Sequence, residues 1–318
     1  MIRTVSRMLA LVGSALALAA LLSGCIAPGE REQYAIAGGG TTGVYYGFGE
    51  QLAGVLTERL DADVQIDETN GSVDNLQRVS EGRALVGFAQ SDAAADAVAG
   101  RGAFSEPLAI EAIARLYDEY VHVVVRADSD IAEIGDLQGR SVSLGAAGSG
   151  VNLVASRVLQ AADVDPGRVA DRELGLAESI GAFRAGQIEA FFWVGGLPTP
   201  GLEQLFAEST ARLLSIDPAT VETVNAAHGG VYRLAEFPIG AYGLAEATAT
   251  MTIPNYLVVA SGAPDELVAE ILDELFAKRS EIARSVPVAA LLDRRQAIFT
   301  DPVDLHPGAI EYYRAARR

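Results

Sequence analysis

A glycine-rich turn near the amino terminus points more clearly to binding chemistry than any other segment. The turn GGGTTG, residues 38–43, follows a short apolar strand and precedes a helical pattern that starts near Val44. Its glycines let the backbone approach a ligand closely, and Thr41 or Thr42 is expected to cap the helix. Unpaired N–H groups and the positive end of the helix then face one point. The turn therefore predicts a site for an anionic group.

The same design recurs at two later turns, and one further strand end also carries hydroxyl and amide side chains. Residues 70–72, NGS, follow a second strand, residues 90–92, QSD, follow a third, and residues 145–150 open a similar unit in the second half of the chain. In a parallel sheet such turns gather where the carboxyl ends of strands meet helix starts. The caps expected for the two helices of the first half are Ser72, and Ser91 or Asp92.

Two aromatic residues, Tyr45 and Trp193, flank these turns. Binding pockets combine aromatic walls with a few polar groups, although both residues could equally belong to the core. Each polar residue of the turns could be a simple helix cap when taken singly. Because they lie at strand ends in two halves of the chain, we interpret them together as the lining of one cleft. These polar residues are Asn70, Ser72, Gln90, Ser91, Ser149 and Asn152.

Other kinds of chemistry have weaker support. GGGTTG also matches the G-x-G-x-x-G dinucleotide motif, with Asp67 at the end of the next strand, but one such match in a glycine-rich chain is weak evidence. The three histidines are widely separated, and His122 lies in an apolar run typical of a hydrogen-bonded core histidine. HExxH and G-x-S-x-G motifs are absent from the sequence. We therefore expect no catalytic residues, no metal and no cofactor.

The amino terminus resembles a bacterial lipoprotein leader. Arg3 and Arg7 precede an uncharged apolar stretch, residues 8–22, and Cys25 is the only cysteine. Residues 22–25, LSGC, match a lipobox, so residues 1–24 are predicted to be a signal peptide and Cys25 to carry lipid. A spacer would then occupy residues 25–32. The alternative is an ordinary signal peptide with an unrelated cysteine.

The charge balance excludes one class of partner. Removal of residues 1–24 would take away two of the 24 basic residues and none of the 42 acidic residues, which gives a formal charge of −20. A chain this acidic is not expected to bind nucleic acid.

The elements that must position the turns are strands alternating with helices. A β-branched run within residues 110–126 is typical of a strand buried on both faces. The segment AGQIEAFFWVGG predicts a strand ending at Trp193, MTIPNYLVVASG another strand, and residues 265–284 one long amphipathic helix. Residues 217–250 look irregular. A short helix is expected to close the chain.

Several segments, in order along the chain, resemble the TAXI family. Its members are the extracytoplasmic solute-binding subunits of tripartite ATP-independent periplasmic (TRAP) transporters. The segments that carry the resemblance are TTGVYYGFGEQLA, ETNGSVDNL, VGFAQSD, YVHVVVRADS, DLQGRSVSLGAAGSG, GQIEAFFWVGGLPTP and LHPGAIEYY.

The resemblance implies an α/β, type II periplasmic-binding-protein fold, with two lobes and a ligand cleft between them. Lobe one would comprise residues 33–123 plus 252–318, and lobe two residues 124–251, joined by crossover strands VHVVV and TIPNYLVV. Small carboxylates such as glutamate or 2-oxoacids would be the ligands. With the turn residues added, the candidate ligand contacts are Thr41, Thr42, Gly43, Tyr45, Asn70, Ser72, Gln90, Ser91, Ser149, Gly150, Asn152, Trp193, Pro198 and Thr199.

The resulting hypothesis is a lipid-anchored, monomeric binding protein outside the cytoplasm. It would capture a small organic anion and deliver it to TRAP permease subunits in the membrane. Charge neutralisation would come from helix ends, with Arg126 as the one candidate basic residue. The alternative is a secreted two-lobed sensor or scaffold that acts with a signalling partner, and an enzyme ranks third.

Overall fold

A computed structural model of the chain describes residues 31–208 and 210–316. The predicted signal peptide, Cys25 and most of the spacer lie outside the described residues. Within residues 33–316, strands and helices alternate through much of the chain. The strands are β1 Gln33–Ala37, β2 Asp63–Asp67, β3 Val86–Gln90, β4 Ile110–Arg126, β5 Ser141–Ser143, β6 Ala170–Asp171, β7 Ala190–Gly195, β8 Ala211–Leu213, β9 Arg233–Phe237 and β10 Thr248–Ala260.

Most helices follow strand ends, and the turn sequences predict this for α1 to α4. They are α1 Val44–Leu60, α2 Ser72–Ser80, α3 Ser91–Ala99, α4 Gly150–Ala161, α5 Leu176–Arg184, α6 Pro200–Ala207, α7 Pro218–His228, α8 Asp265–Ala277, α9 Arg279–Ile282 and α10 Pro307–Ala315. None of these helices of the described chain is long and apolar enough to cross a membrane.

A single mixed sheet connects both halves of the molecule. Its order is β2-β1-β3-β10-β4-β7-β5-β6, with β8 paired to β4 and β9 paired to β10. The strands β1, β2 and β3 are parallel, as are β5, β6 and β7. The carboxyl ends of each parallel set therefore meet helix starts at one edge.

The long strands β4 and β10 run through both halves, as expected for crossovers. The first part of β4 pairs with β10 up to Tyr120, and the part from Tyr120 to Val125 pairs with β7. Similarly, β10 pairs with β9 over Thr248–Thr252 and with β3 from Asn255 onward. The β-branched residues of these strands are buried because helices cover both faces of the sheet.

The hydrophobic clusters divide between the two halves. One pair of clusters contains buried residues from within 36–117 and 256–313, and the other pair from within 121–253. We refer to these halves as lobe one and lobe two. In lobe one Phe48, Leu52 and Leu56 recur every four residues of α1, and each is fully buried, which contributes about 1.5–3 kcal/mol apiece. The predicted lobe boundaries stay a prediction.

Three expectations about elements are wrong. Residues 217–250 are not irregular, because Asp217 accepts a hydrogen bond from the Thr220 backbone N–H and starts α7, and β9 follows. The long helix predicted for residues 265–284 is two helices, α8 and α9, separated at Lys278. The strand containing Trp193 continues to Gly195, because pairing with β4 extends to Tyr120.

Candidate functional site

A cavity of about 380 Å³ lies where the strand-end turns of both lobes meet. Its lining comes from the β1–α1, β2–α2, β5–α4 and β6–α5 turns and from the ends of β3 and β7. Ten of the predicted contacts line it. They are Thr41, Thr42, Gly43, Tyr45, Asn70, Ser72, Gln90, Ser149, Gly150 and Trp193.

Four predicted contacts lie elsewhere. Ser91 is fully buried as the first residue of α3, and the Asn152 backbone N–H donates to Ser149 Oγ, so both serve the helix starts. Pro198 follows a cis peptide bond. Thr199 is buried beneath the wall, where its Oγ1 accepts from Trp193 Nε1 at 3.1 Å and donates to the Gly196 carbonyl. Thr199 therefore orients the tryptophan and does not face the cavity. Arg126 also lies off the cavity, beside Asp128 and the Phe183 ring.

The capping predictions for lobe one are wrong. Neither Thr41 nor Thr42 caps α1, because the N-cap position belongs to Gly43. Ser72 and Ser91 are the first helical residues of α2 and α3, and the N-caps are Gly71 and Gln90. None of these three helix starts has a side-chain cap. The Asp74 N–H of α2 donates to the Gly148 carbonyl and the Ala93 N–H of α3 donates to Asp92 Oδ1, so only part of the first N–H groups is left for another partner.

In lobe two, α4 begins with a side-chain cap. Ser149 Oγ accepts from the Asn152 N–H at 3.0 Å, as its position in the sequence suggests. At the start of α5, Glu178 accepts from the N–H of the N-cap residue Gly175 at 3.0 Å, but no side chain caps the helix N–H groups that follow. The helix starts that line the cavity without a side-chain cap are therefore α1 and α2 of lobe one and α5 of lobe two.

Two buried polar atoms of the cavity lining have no hydrogen-bond partner. They are Thr42 Oγ1 and Gln90 Oε1. An unsatisfied buried polar atom carries a cost of roughly 1–3 kcal/mol. Such atoms at a cavity wall are typical of groups that bind a ligand.

The charged residues of the lining were not recognised from the sequence. Among the described residues that line the cavity, Arg78 is the basic one, and its guanidinium contacts Asp74 at 2.8 Å and Asp67 at 3.2 Å. Glu119 also lines it, on the crossover strand β4. The remaining acidic lining residues are Glu68, Asp74 and Glu178.

Glu119 stands out because it is buried, with 1% of its surface exposed. Tyr45 donates a hydrogen bond from its hydroxyl to Glu119 Oε2 at 3.1 Å, while its ring stacks on Phe88. Burial raises the pKa of Glu119 to about 8, although hydrogen bonds from Gln90 and Tyr45 oppose the shift.

The lobes touch each other around the cavity. The Asp74 N–H of lobe one donates to the Gly148 carbonyl of lobe two at 3.3 Å. Gly150 lies directly against Gln90 and Ser72, and a Cβ atom at Gly150 would come within 2.7 Å of Ser72 Oγ. Gly43 packs on the Trp193 ring in the same way, at 3.2 Å from its ideal Cβ position. The cleft is therefore closed, and its residues are in contact across it.

A second interlobe contact is ionic. Arg157 of α4 binds Asp92 at 2.7 Å and also pairs with Asp96, both on α3. Tyr232 of lobe two donates its hydroxyl to Asp92 Oδ2 at 2.6 Å. Arg157, Asp92 and Tyr232 are all buried. This contact does not belong to the cavity lining.

His122 is a core residue, as the sequence indicates. Its Nδ1 donates to the Tyr120 carbonyl and its Nε2 accepts from the Tyr242 hydroxyl, at 2.9 and 3.1 Å. Burial lowers the pKa of His122 to about 3. In residues 31–208 and 210–316 no group of three or more metal-binding side chains is found.

A model of the NMT1-like family matches residues 36–316. The chain belongs to the NMT1-like family. Among solved structures, MatC from Rhodopseudomonas palustris, which contains bound malate, is similar to this family member with a TM-score of 0.55 at 12% identity. The alignment covers 81% of this chain and 88% of MatC.

Two further solved structures share the fold of this NMT1-like protein. The binding protein component of a phosphonate ABC transporter from Pseudomonas aeruginosa has a TM-score of 0.53 at 12% identity, over 81% of this chain and 79% of its own. A protein from Bordetella bronchiseptica RB50 has a TM-score of 0.50 at 20% identity, over 90% of both chains. The fold is thus the two-lobed α/β fold of periplasmic solute-binding proteins, as the sequence predicts.

Proposed function

We propose that this NMT1-like protein is an extracytoplasmic solute-binding protein that captures a small organic anion between its lobes. The observation that carries the proposal is the closed cavity, which is lined by the starts of α1, α2 and α5, none of which has a side-chain cap. Each helix start carries a partial positive charge and free N–H groups. A carboxylate of about the size of glutamate, a dicarboxylate or a 2-oxoacid would satisfy them.

The lining supports an anion in two further ways. Thr42 Oγ1 is a hydroxyl without a partner, so it is available to donate to a carboxylate oxygen. Arg78 adds a positive charge beside the turn at residues 68–72. Its present acidic partners, Asp74 and Asp67, neutralise part of that charge, so the helix starts remain the main source of positive potential.

Capture would be coupled to lobe closure. Residues of both lobes line one cavity, and a ligand bound there gains contacts that an open cleft cannot offer. Such differential affinity is what shifts a two-state equilibrium toward the closed form. The crossovers β4 and β10 are the segments about which the lobes would move.

A transport role is supported by what similar structures bind. MatC contains malate, and the Pseudomonas aeruginosa protein belongs to a phosphonate transporter. Together with the TAXI-like motifs, these neighbours support delivery of the ligand to a TRAP-type permease. In this proposal the protein is a monomer, performs no catalysis, and is tethered to a bacterial membrane through lipid on Cys25.

A thermal-shift screen of dicarboxylates, 2-oxoacids and amino acids tests the proposal. A true ligand at a hundredfold excess over its Kd should stabilise the protein by about 2.7 kcal/mol, which raises Tm by several degrees. Thr42→Val removes an unpartnered hydroxyl, so it should leave the Tm of the free protein unchanged and weaken the ligand by roughly five- to tenfold.

Thr223→Val is the matched control, because Thr223 is an exposed residue of α7 whose hydroxyl bonds only within its helix. This variant should bind like the original protein. A protein that no anion of the screen stabilises, and that carries no small molecule after purification, would contradict the proposal.

A further inference from the structure

Glu119 is an acidic side chain placed at the wall of a cavity that otherwise suits an anion. It lies in the middle of β4, opposite Ile253 of β10, and faces the cavity from beneath the helix starts of lobe one. Burying a carboxylate is costly unless a positive partner is present. The residue therefore needs an explanation that anion binding alone does not supply.

A closed network holds Glu119 in place. Tyr45 donates to Glu119 Oε2, Ser72 hydrogen-bonds the Tyr45 hydroxyl, and the Gln90 side chain hydrogen-bonds Glu119 from β3. Ser72 Oγ in turn accepts from the Gln90 N–H at 3.1 Å. Gln90 Oε1 remains buried without a partner. Two acceptors, the Glu119 carboxyl and the Gln90 amide oxygen, thus belong to neighbouring residues that line the same cavity.

The groups that act on Glu119 supply no positive charge. Its carboxyl group interacts electrostatically with Tyr45 of α1, with Asp92 of α3, and with Asp118 and Tyr117 of β4. All four are acidic or phenolic. Burial is the main reason that Glu119 titrates near pH 8, and both aspartates shift its pKa in the same direction.

We propose that Glu119 and Gln90 receive the protonated amino group of the ligand, and that capture expels the Glu119 proton to solvent. The proposal rests on the proposed function and narrows it. The carboxylate of the ligand would lie at the uncapped helix starts, and its ammonium group at the two acceptors. The cleft would then select amino acids over the 2-oxoacids and dicarboxylates of the same size.

The proton balance of this step is simple. Near neutral pH the free protein holds Glu119 as the neutral acid and the ligand arrives as an ammonium ion. Binding forms an ammonium–carboxylate pair, and the carboxyl proton passes to the buffer, so no covalent bond to the ligand changes. A second N–H of the ammonium group donates to Gln90 Oε1, which satisfies the unpartnered acceptor.

Calorimetric titration with matched ligand pairs tests the proposal. L-Glutamate is compared with 2-oxoglutarate, L-aspartate with oxaloacetate, and L-alanine with pyruvate, together with succinate and malate. Each is titrated at about pH 6.5 in two buffers of different ionisation enthalpy. We expect an amino acid to bind at least about 100-fold more tightly than its oxoacid, with release of about one proton per ligand.

Glu119→Gln keeps the shape of the neutral acid and removes its ability to become a carboxylate. This variant should weaken the amino acid roughly 10- to 100-fold and abolish proton release. Glu111→Gln is the control, since Glu111 lies on the same strand but off the cavity. It should leave both quantities unchanged.

The outcomes separate this proposal from the proposed function. An oxoacid or dicarboxylate that binds more tightly than every amino acid would overturn the amino-group subsite while supporting anion capture. Proton uptake on binding, or full affinity in Glu119→Gln, would overturn it equally, because Glu119 would then act as a neutral group. Absence of binding by all of these ligands would contradict the proposed function itself.

Discussion

Two buried acidic side chains, Asp92 and Glu119, have different kinds of partner in the same molecule. Each accepts a hydrogen bond from a tyrosine, from Tyr232 and from Tyr45 respectively. Burial raises the pKa of both carboxyl groups. Asp92, however, has the guanidinium of Arg157 at 2.7 Å. Glu119 has an amide and a phenol.

The presence or absence of a positive partner distinguishes the structural contact at Asp92 from the proposed binding contact at Glu119. Where the chain supplies the positive partner, as at Asp92, the pair joins the two lobes and needs nothing from outside. Where the acid faces a cavity with no such partner, as at Glu119, the positive group can come from the ligand. The first site favours a closed cleft by itself, whereas the second would make closure depend on ligand chemistry.

The largest effect is expected when Asp92 loses its positive partner, Arg157. Arg157→Met leaves Asp92 buried in the closed form without its cation, at a cost of about 3–5 kcal/mol, whereas Asp96 keeps Arg101 at 3.2 Å. Opening of the lobes relieves that cost by hydrating Asp92. We therefore expect ligand affinity to fall by roughly 100-fold or more, as measured by calorimetry.

Arg140→Met is the matched control for this charge removal. Arg140 pairs with Asp130 and Glu189 entirely within lobe two, and those partners are exposed. Its loss should leave ligand affinity as it is. Unchanged affinity in Arg157→Met would show that the ionic contact does not contribute to closure.

The next prediction concerns the close backbone contact between the lobes at Gly150. Gly150→Ala places a methyl group against Gln90 and Ser72 in the closed cleft, and overpacking of this kind costs about 1–3 kcal/mol. The open form has no such clash. Affinity should fall about tenfold while small-angle scattering of the ligand-free protein shows a shift to more open particles.

Gly181→Ala provides the comparison for Gly150→Ala. Gly181 lies in α5 of the same lobe, and a methyl group there meets no neighbouring atom within 4 Å. It should bind ligand normally and gain stability, since alanine favours helix by about 1 kcal/mol. Equal loss of affinity in both variants would contradict the role assigned to Gly150.

The last prediction concerns the titration of Glu119 in the absence of ligand, where the effect per pH unit is modest. Its pKa is about 4.5 in the unfolded chain and about 8 in the folded one, so the folded state binds more protons between these values. The stability contributed by Glu119 is therefore fully present below pH 4.5 and is lost as the pH rises to 8. The slope is up to roughly 1.4 kcal/mol per pH unit.

Glu119→Gln should remove that slope. Urea unfolding of both proteins at several pH values measures it. His122 contributes an opposite dependence on the acid side, because its pKa is lowered, and this part should be the same in both proteins. Parallel stability curves for the two proteins would mean that Glu119 does not titrate in this range.

Much of the fold could be predicted because local patterns and buried strands agree. The 17-residue strand β4 coincides with the β-branched run, and α1 begins and ends where its apolar spacing predicts. Residues 217–250 were misjudged because β9 is mostly exposed and gains its structure from pairing with β10. Such pairing depends on a distant segment and leaves little local signal.

The cavity was predicted less completely than the fold. Turn residues such as Thr42, Gln90 and Gly150 could be found because strand ends gather at one edge of a sheet. Glu119 could not, because Asp118 and Glu119 look like a solvated pair, and Glu119 is buried by distant segments, among them Tyr45, 74 residues away, and β10. The caps were misjudged because the backbone starts each helix one residue from the hydroxyl expected to cap it.

Mass spectrometry of the small molecule that leaves the denatured protein after purification identifies the ligand itself. We expect a compound with both a carboxylate and a primary or secondary amino group, present in the original protein and depleted in Glu119→Gln. A bound compound that contains no amino group, retained equally by both proteins, would contradict this expectation.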